Sequence, residues 1–235
     1  MRYMLVVRYD GSKFFGFQRQ KNDRNVQSEI EVALSNVLSE DIVVKGAGRT
    51  DRGVHARCQV VHFDTDKCVK NLKVKLNRKL QDIKVIKVKK VSNDFHARHS
   101  VKNKIYIYKL DLSNKRNELY YGKVKNKLDI NKIKDASNVF LGCHNFKNFV
   151  SGERPDYNGT ILNIKIYKFN NVLYFKFYGI GFYRYMVRNL VGALVEVGKG
   201  KVTTEDLKNM LDNYDKEKRL PTISPNGLYL WKINY

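Results

Sequence analysis

Residues 48–56 read Gly48-Arg49-Thr50-Asp51-Arg52-Gly53-Val54-His55-Ala56, one carboxylate set between two arginines and bracketed by glycines. A guanidinium beside a carboxylate favours the ionised form by charge attraction and hydrogen bonding, so the pattern offers Asp51 as a nucleophile or base. Gly48 and Gly53 let the backbone turn sharply and leave the side chain accessible. The same residues equally suit a turn in which Asp51 bonds its own backbone and the arginines are solvated. The nonapeptide by itself leaves both readings open. Working outward, Ile42 to Val44 and Gln59 to Asp64 have the composition of short strands, which puts Asp51 at the tip of a strand connection. Loops carried on rigid sheets are where catalytic groups concentrate.

The rest of the chain narrows the class. Its 235 residues, 43% hydrophobic and 12% aromatic, can build a real core in one large domain or two small ones. Forty-five Lys and Arg against 23 Asp and Glu give a formal charge of +22. Such an excess repels itself in a compact body unless it meets a polyanion, and nucleic acid is the leading partner class. No apolar run approaches the roughly 20 residues needed to cross a bilayer, and no basic amphipathic helix stands apart as a membrane anchor. Met1-Arg2-Tyr3-Met4 leads straight into a strand-like run rather than a signal peptide, so a cytoplasmic location is expected. Cys58, Cys68 and Cys143 are odd in number and lack metal-ligand spacing, which argues against a disulfide framework or a zinc site. No Gly-rich phosphate loop is present, so no nucleotide cofactor is expected.

Periodicity supplies the elements. Tyr3 to Tyr9 reads as a strand, and after a polar, aromatic loop from Asp10 to Arg24 the residues Val26, Ile30, Leu34 and Val37 recur at helical spacing behind Asn25 as cap. Val69, Leu72, Leu76 and Leu80 suggest a second helix, and Ile83 to Val91 a half-buried strand. Lys104 to Leu112 fits a strand with both faces largely covered, and Asn131 to Phe140 a helix. Thr160 to Phe169 and Val172 to Ile180 form a hairpin across Asn170-Asn171, followed by a helix from Phe182 to Val197. Thr203 or Thr204 caps a short helix through Leu211, and Leu228 to Ile233 closes the chain as a strand. Strands and helices intermix in both halves, which is α+β rather than an ordered βαβ series. The boundary falls near residues 97–104, giving halves of about 1–100 and 101–235.

Five ordered blocks now carry a resemblance. Tyr9-Asp10-Gly11 with Phe15-Gly16-Phe17-Gln18-Arg19-Gln20 comes first, then Gly48 to Ala56. Phe95-His96-Ala97-Arg98 leading to Lys104-Ile105-Tyr106-Ile107-Tyr108 is third. Met186 to Gly192 and Pro225-Asn226-Gly227-Leu228 complete the set. Together they resemble the TruA family of tRNA pseudouridine synthases over nearly the whole chain. The resemblance implies two RNA-recognition-motif-like (ferredoxin-like) α/β halves sharing a long, mostly antiparallel central sheet, with helices outside and a basic cleft between. It implies a homodimer, the anticodon stem-loop of tRNA as partner, uridines at positions 38, 39 and 40 as substrates, and no metal or organic cofactor.

The reaction breaks N1–C1′, turns the uracil, and joins C5 to C1′. By resemblance Asp51 is the catalytic carboxylate, attacking C1′ or the ring or taking a ribose proton, and Arg188 is its basic partner. Tyr106 matches the active-site tyrosine, whose ring stacks on the flipped uracil and whose hydroxyl assists loss of the C5 proton. Read without the family, a strand tyrosine such as Tyr106 or Tyr108 is core. Leu228 matches the aliphatic wall beside the base. Arg49, Arg52, Arg19 and Phe17 are expected to touch RNA, although Phe15 and Phe17 suit a buried pair equally, while His55 organises the loop. Gln27-Ser28, where the family usually has Gln-Gly, and a short, lysine-rich 120–129 segment depart from the pattern and bear on how the anticodon arm is held. A non-catalytic RNA-binding protein is the alternative. An ordinary glycosidase needs two carboxylates flanking the bond, and a nuclease wants a metal cluster or paired histidines, and neither pattern is visible.

Overall fold

A computed structural model describes residues 1–68, 70–125, 127–215 and 219–235. The chain forms two compact units, Met1–Lys102 with Tyr229–Tyr235, and Asn103–Leu228.

The first unit begins with strands β1 (Arg2–Tyr9), β2 (Lys45–Gly46), β3 (His55–Asp64) and β4 (Ile83–Val91), and helices α1 (Val26–Leu38) and α2 (Leu72–Lys79). Alternation in β1 sends Leu5, Val7 and Tyr9 into the core while Arg8 stays exposed. Helix α1 starts where the Asn25 side chain accepts the Ser28 N–H, and it buries Val26, Ile30, Leu34 and Leu38 on one face. The expected helical role of Val69 lies outside the described residues.

Residues 42–44 do not form the strand their composition suggests. Side chains of α1 occupy their backbone instead: the Ile42 N–H donates to Ser35 Oγ, the Val44 N–H to Glu31 Oε1, and the Val44 carbonyl accepts from Gln27 Nε2. Pairing starts one residue later, with Lys45 opposite His62 and Gly46 opposite Val61.

The second unit contains β5 (Asn103–Asp111), β6 (Gly122–Lys123), β7 (Gly142–Asn145), β8 (Asn158–Phe169) and β9 (Val172–Ile180), with α3 (Ile130–Ser137), α4 (Met186–Gly198) and α5 (Thr204–Asp212). Its sheet runs β5-β9-β8-β7, antiparallel throughout, with β6 added parallel to β5. The hairpin turns at Asn170-Asn171, both at positive φ, as an Asn-rich two-residue connection requires. Thr203 and Asp206 make a full capping box on α5.

Helix α4 starts at Met186, four residues after the start its apolar pattern suggests. Gly181 at φ 75° and Tyr185 at φ 64° hold the left-handed region on either side of the segment, which a continuing right-handed helix cannot include. Strands β6 and β7, two and four residues long, leave no periodic trace in the sequence.

The last strand, β10 (Leu228–Asn234), returns its residues from Tyr229 onward to the first unit, where Tyr229 and Leu230 pair in parallel with His55 and Ala56 of β3. The first unit's sheet order is therefore β4-β1-β3-β10, with β2 also on β3. Both units are α+β with mostly antiparallel sheets.

Candidate active site

Asp51 stands in the connection from β2 to β3, half-exposed, on a backbone pinned at each side. Thr50 is buried, its hydroxyl 2.8 Å from that of Tyr9, and its carbonyl accepts the Phe17 N–H at 3.1 Å. Burial pushes the Tyr9 phenol up to about 12, so it remains a neutral partner for Thr50 across the physiological range. On the other side the Val54 N–H donates to the Asp51 carbonyl at 3.1 Å, closing a turn with Gly53 at φ 81°. At the base of the connection Gln59 Nε2 donates to the Gly48 carbonyl.

The Asp10–Phe17 loop packs directly on this connection. A Cβ on Gly11 would stand 2.1 Å from the Val54 carbonyl oxygen, and one on Gly16, itself at φ 99°, would stand 2.8 Å from that of Thr50. Only glycine permits these approaches. His55 is buried, stacks on Tyr229 at 4.6 Å and 18°, and accepts the Gly11 N–H on Nδ1. Nδ1 thus carries a lone pair toward the backbone. Asp10 Oδ1, 3.2 Å away, is engaged by the Ser12 N–H and hydroxyl. These contacts make His55 an organiser of the loop.

The expected RNA contacts of this unit divide. Arg49 and Arg52 are exposed, and the Arg52 guanidinium lies 4.1 Å over the ring of Phe15, which is 40% exposed. Arg19 keeps an exposed side chain but sits 3.3 Å from Glu31, a buried carboxylate, so part of its role is to neutralise the core. Of the two readings open for Phe17 the structure takes the buried one and not the RNA contact: it is 4% exposed and its ring fills the space over Gly46, where a Cβ would stand 2.5 Å from it. The aromatic available to RNA here is Phe15. Gln27, beside the departing Ser28, spends its amide bridging Arg19, Glu31 and Val44.

In the second unit, Tyr106 is 8% exposed on β5, opposite Phe177, with the Phe182 ring edge-on at 5.0 Å. Tyr108, two residues on, is core: it is fully buried, its hydroxyl donates to the Ser224 carbonyl at 2.9 Å, and Gly122 and Gly227 press against its ring. Arg188 is half-buried on α4. Its Nε donates to the Ile223 carbonyl at 2.9 Å and its guanidinium stacks over Tyr185 at 4.6 Å. The seat depends on Gly192, one turn further on the same helix face, where a Cβ would stand 2.0 Å from the Pro221 carbonyl. Asn189 ties the same helix end to both sides, donating to the Phe149 carbonyl and accepting the Thr222 hydroxyl. Leu228 is buried at the head of β10.

Sequence reasoning passed over the supports: Thr50, Gly16, Phe182, Ile223 and Gly192. Gly11 and Gly16 in an otherwise aromatic loop were the readable signal for close backbone approach. Nothing in the sequence marks a carbonyl such as that of Ile223 as an arginine seat. Among the described residues no cluster of three His, Cys, Asp or Glu side chains is arranged to hold a metal, and no helix is long and apolar enough to cross a membrane.

A family profile described as tRNA pseudouridine synthase matches residues 5–100 and 136–235, and the chain belongs to that family, enzymes that isomerise uridine to pseudouridine. Relatives named tRNA pseudouridine synthase A include that of Streptococcus uberis, 38% identical over 100% of this chain and 98% of its own length. That of Finegoldia magna is 39% identical over 98% of each chain. That of Pseudothermotoga lettingae is 38% identical over 100% of this chain and 99% of its own.

Proposed function

We propose that this enzyme isomerises uridines in the anticodon stem-loop of tRNA, at positions 38, 39 and 40, acting as a homodimer in the cytoplasm with Asp51 as its catalytic carboxylate. The observation that carries the reading is the presentation of Asp51. Thr50 on one side is bonded to the buried Tyr9, and on the other the carbonyl of Asp51 itself closes a tight turn by accepting the Val54 N–H, while the Asp51 side chain keeps access to solvent. A carboxylate held on an over-determined backbone is preorganised, and that lowers the cost of reaching the transition state.

In this account the target uridine is flipped out of its stack, with the Tyr106 ring against the uracil and Leu228 as an aliphatic wall. Asp51 acts as nucleophile or base while the N1–C1′ bond breaks. Once C5 has joined C1′, the proton on C5 must leave, and the Tyr106 hydroxyl assists that step. Arg188 serves as the positively charged partner of Asp51, and its bond to the Ile223 carbonyl fixes the guanidinium plane. Arg49, Arg52 and Arg19 contact phosphates. Their exposure and the formal charge of +22 support that role.

The test uses tRNA from cells lacking the modification, incubated with wild-type protein or Asp51→Ala and mapped by carbodiimide-dependent reverse-transcription stops. The wild type should give stops at positions 38 to 40. Asp51→Ala should give none while binding tRNA with an affinity within a few-fold of wild type. Equal stops with both proteins would overturn the assignment of Asp51, and stops elsewhere would overturn the site in tRNA.

A further inference from the structure

The sheet of the second unit has two unlike faces. One, carrying Leu173, Phe175 and Phe177 of β9, is completely buried. On the other, the register places Lys176 of β9 directly opposite Lys165 of β8, and Tyr174 directly opposite Tyr167. Lys109 of β5 is opposite Tyr174 on its other side, and Tyr178 stands two residues beyond Lys176. The result is a block of lysines framed by tyrosines. Tyr167 and Tyr174 lie ring on ring at 5.0 Å and 6°, and Tyr167 is 44% exposed.

Three features make this block more than ordinary surface. Like charges directly opposite each other across a strand pair destabilise a sheet, and among the described residues neither Lys165 nor Lys176 has an ion-pair partner. Lysines commonly guard sheet edges against aggregation, but β8 and β9 are interior strands with a neighbour on each side. The one carboxylate of the β5 row, Asp111, is already committed: it accepts the Ser113 N–H and hydroxyl and the Arg116 N–H. Lys165 and Lys176 side by side, without ion-pair partners among the described residues, beside a stacked ring pair of which Tyr167 is exposed, suit a ligand that is both polyanionic and aromatic.

We propose that this face is a second RNA-binding surface, on which unpaired nucleotides of tRNA stack on Tyr167, Tyr174 and Tyr178 while Lys165, Lys176 and Lys109 take the intervening phosphates. Sheet faces bearing aromatics bind single-stranded RNA in this way, and Tyr174, Lys176 and Tyr178 alternate along β9 at about 6.7 Å per step, ring, cation and ring. A second copy of the chain is a poorer occupant, because a two-fold contact would bring the lysine block against its own image with no carboxylates to meet it. The inference rests on the family's tRNA substrate and not on the pocket residues, since Tyr106 belongs to the opposite face of β5.

The test is fluorescence anisotropy with a labelled single-stranded oligouridylate at salt from 50 to 200 mM, with unlabelled tRNA as competitor. Lys165→Gln with Lys176→Gln should make the slope of log affinity against log salt shallower by about 1.4, two phosphate contacts on a single strand. Tyr167→Ala with Tyr174→Ala should weaken binding about tenfold or more, and tRNA should displace the oligouridylate from the wild type. Turnover at saturating tRNA should stay at the wild-type rate in both variants, which also certifies their fold. Asp51→Ala should show the converse, with oligouridylate binding intact and turnover lost, so failure of the pocket assignment and failure of this one are read separately. Unchanged slope and affinity in the variants would overturn the proposal. So would failure of tRNA to compete, or loss of a dimer by sedimentation in the RNA-free Tyr167→Ala, Tyr174→Ala variant, which would assign the face to a second copy.

Discussion

Replacing Gly192 with alanine tests how Arg188 is held without touching the arginine. The added Cβ would stand 2.0 Å from the Pro221 carbonyl oxygen, whereas real Cβ atoms essentially never come closer than 3.0 Å. The 221–223 segment must therefore recede by at least about 1 Å. The Ile223 carbonyl, two residues along, accepts from Arg188 Nε at 2.9 Å. A shift of that size takes the pair beyond hydrogen-bonding range. A bond from a charged donor is worth about 1.5–3 kcal/mol, which corresponds to a fall of roughly 10- to 150-fold in kcat/KM if the guanidinium must be in place only at the transition state. Stability should fall by about 0–2 kcal/mol. Overpacking costs about 1–3 kcal/mol, and replacing a helical glycine with alanine returns about 1 kcal/mol of it. The assay is pseudouridine formation under single-turnover conditions beside a urea melt, with Leu34→Val in helix α1 of the first unit as a variant of comparable destabilisation. Leu34→Val should keep its rate. A folded Gly192→Ala protein that turns over at the wild-type rate would refute the reasoning that this seat positions Arg188.

Other consequences follow from the same geometry. Gly16→Ala combines a left-handed φ of 99° with an approach of 2.8 Å to the Thr50 carbonyl, and should lower stability by about 1–3 kcal/mol while slowing turnover; a urea melt and a rate measurement check both. His62 is 2% exposed and its Nδ1 accepts the Ala97 N–H. Burial first, then the proximity of His96 and Arg2, pulls its imidazole down to about 4. A folded value below the unfolded 6.5 means that the unfolded chain binds the proton more readily, so this contribution is full above pH 6.5 and is lost as pH falls toward 4, by up to about 3 kcal/mol. His62→Asn, which keeps an acceptor near the Ala97 amide, should flatten the stability curve over that window. Tyr106→Phe should retain tRNA affinity and lower the chemical rate by about 10²- to 10⁴-fold, the usual share of a positioned proton-transfer group; an unaltered rate would leave Tyr106 only its ring.

Where periodicity is long, the sequence and the fold agree closely. Strand β4 runs over the expected Ile83–Val91, β9 over Val172–Ile180, and helix α1 begins at the expected cap. Disagreement arises where side chains compete with the backbone ladder. Residues 42–44 have strand composition, but Glu31, Gln27 and Ser35 claim their amides and carbonyl before a neighbouring strand can. Phe182 to Tyr185 continue an apolar helical pattern, and yet one left-handed residue, Tyr185, delays the helix to Met186. Local propensity contains neither effect, because both depend on groups brought together only by folding. The site divides along the same line. The residues proposed for the chemistry stand in ordered motifs of the sequence. The groups that hold them, such as the Thr50 hydroxyl on Tyr9 and the Ile223 carbonyl on Arg188, are either unremarkable in sequence or belong to the backbone. Phe17 shows the converse hazard, since a ring in a basic loop has the composition of an RNA contact but is consumed by the core over Gly46.

The central claim is that the Asp51 carboxylate performs the isomerisation. It is tested most directly by measuring tritium released from C5 of labelled uridines in tRNA fully bound to Asp51→Asn, a variant that keeps size and hydrogen-bonding capacity but lacks the charge. Joining C5 to C1′ must expel that hydrogen, so the signal reports the chemistry rather than binding. The account predicts release no faster than in buffer. Release within tenfold of the wild-type rate would contradict it.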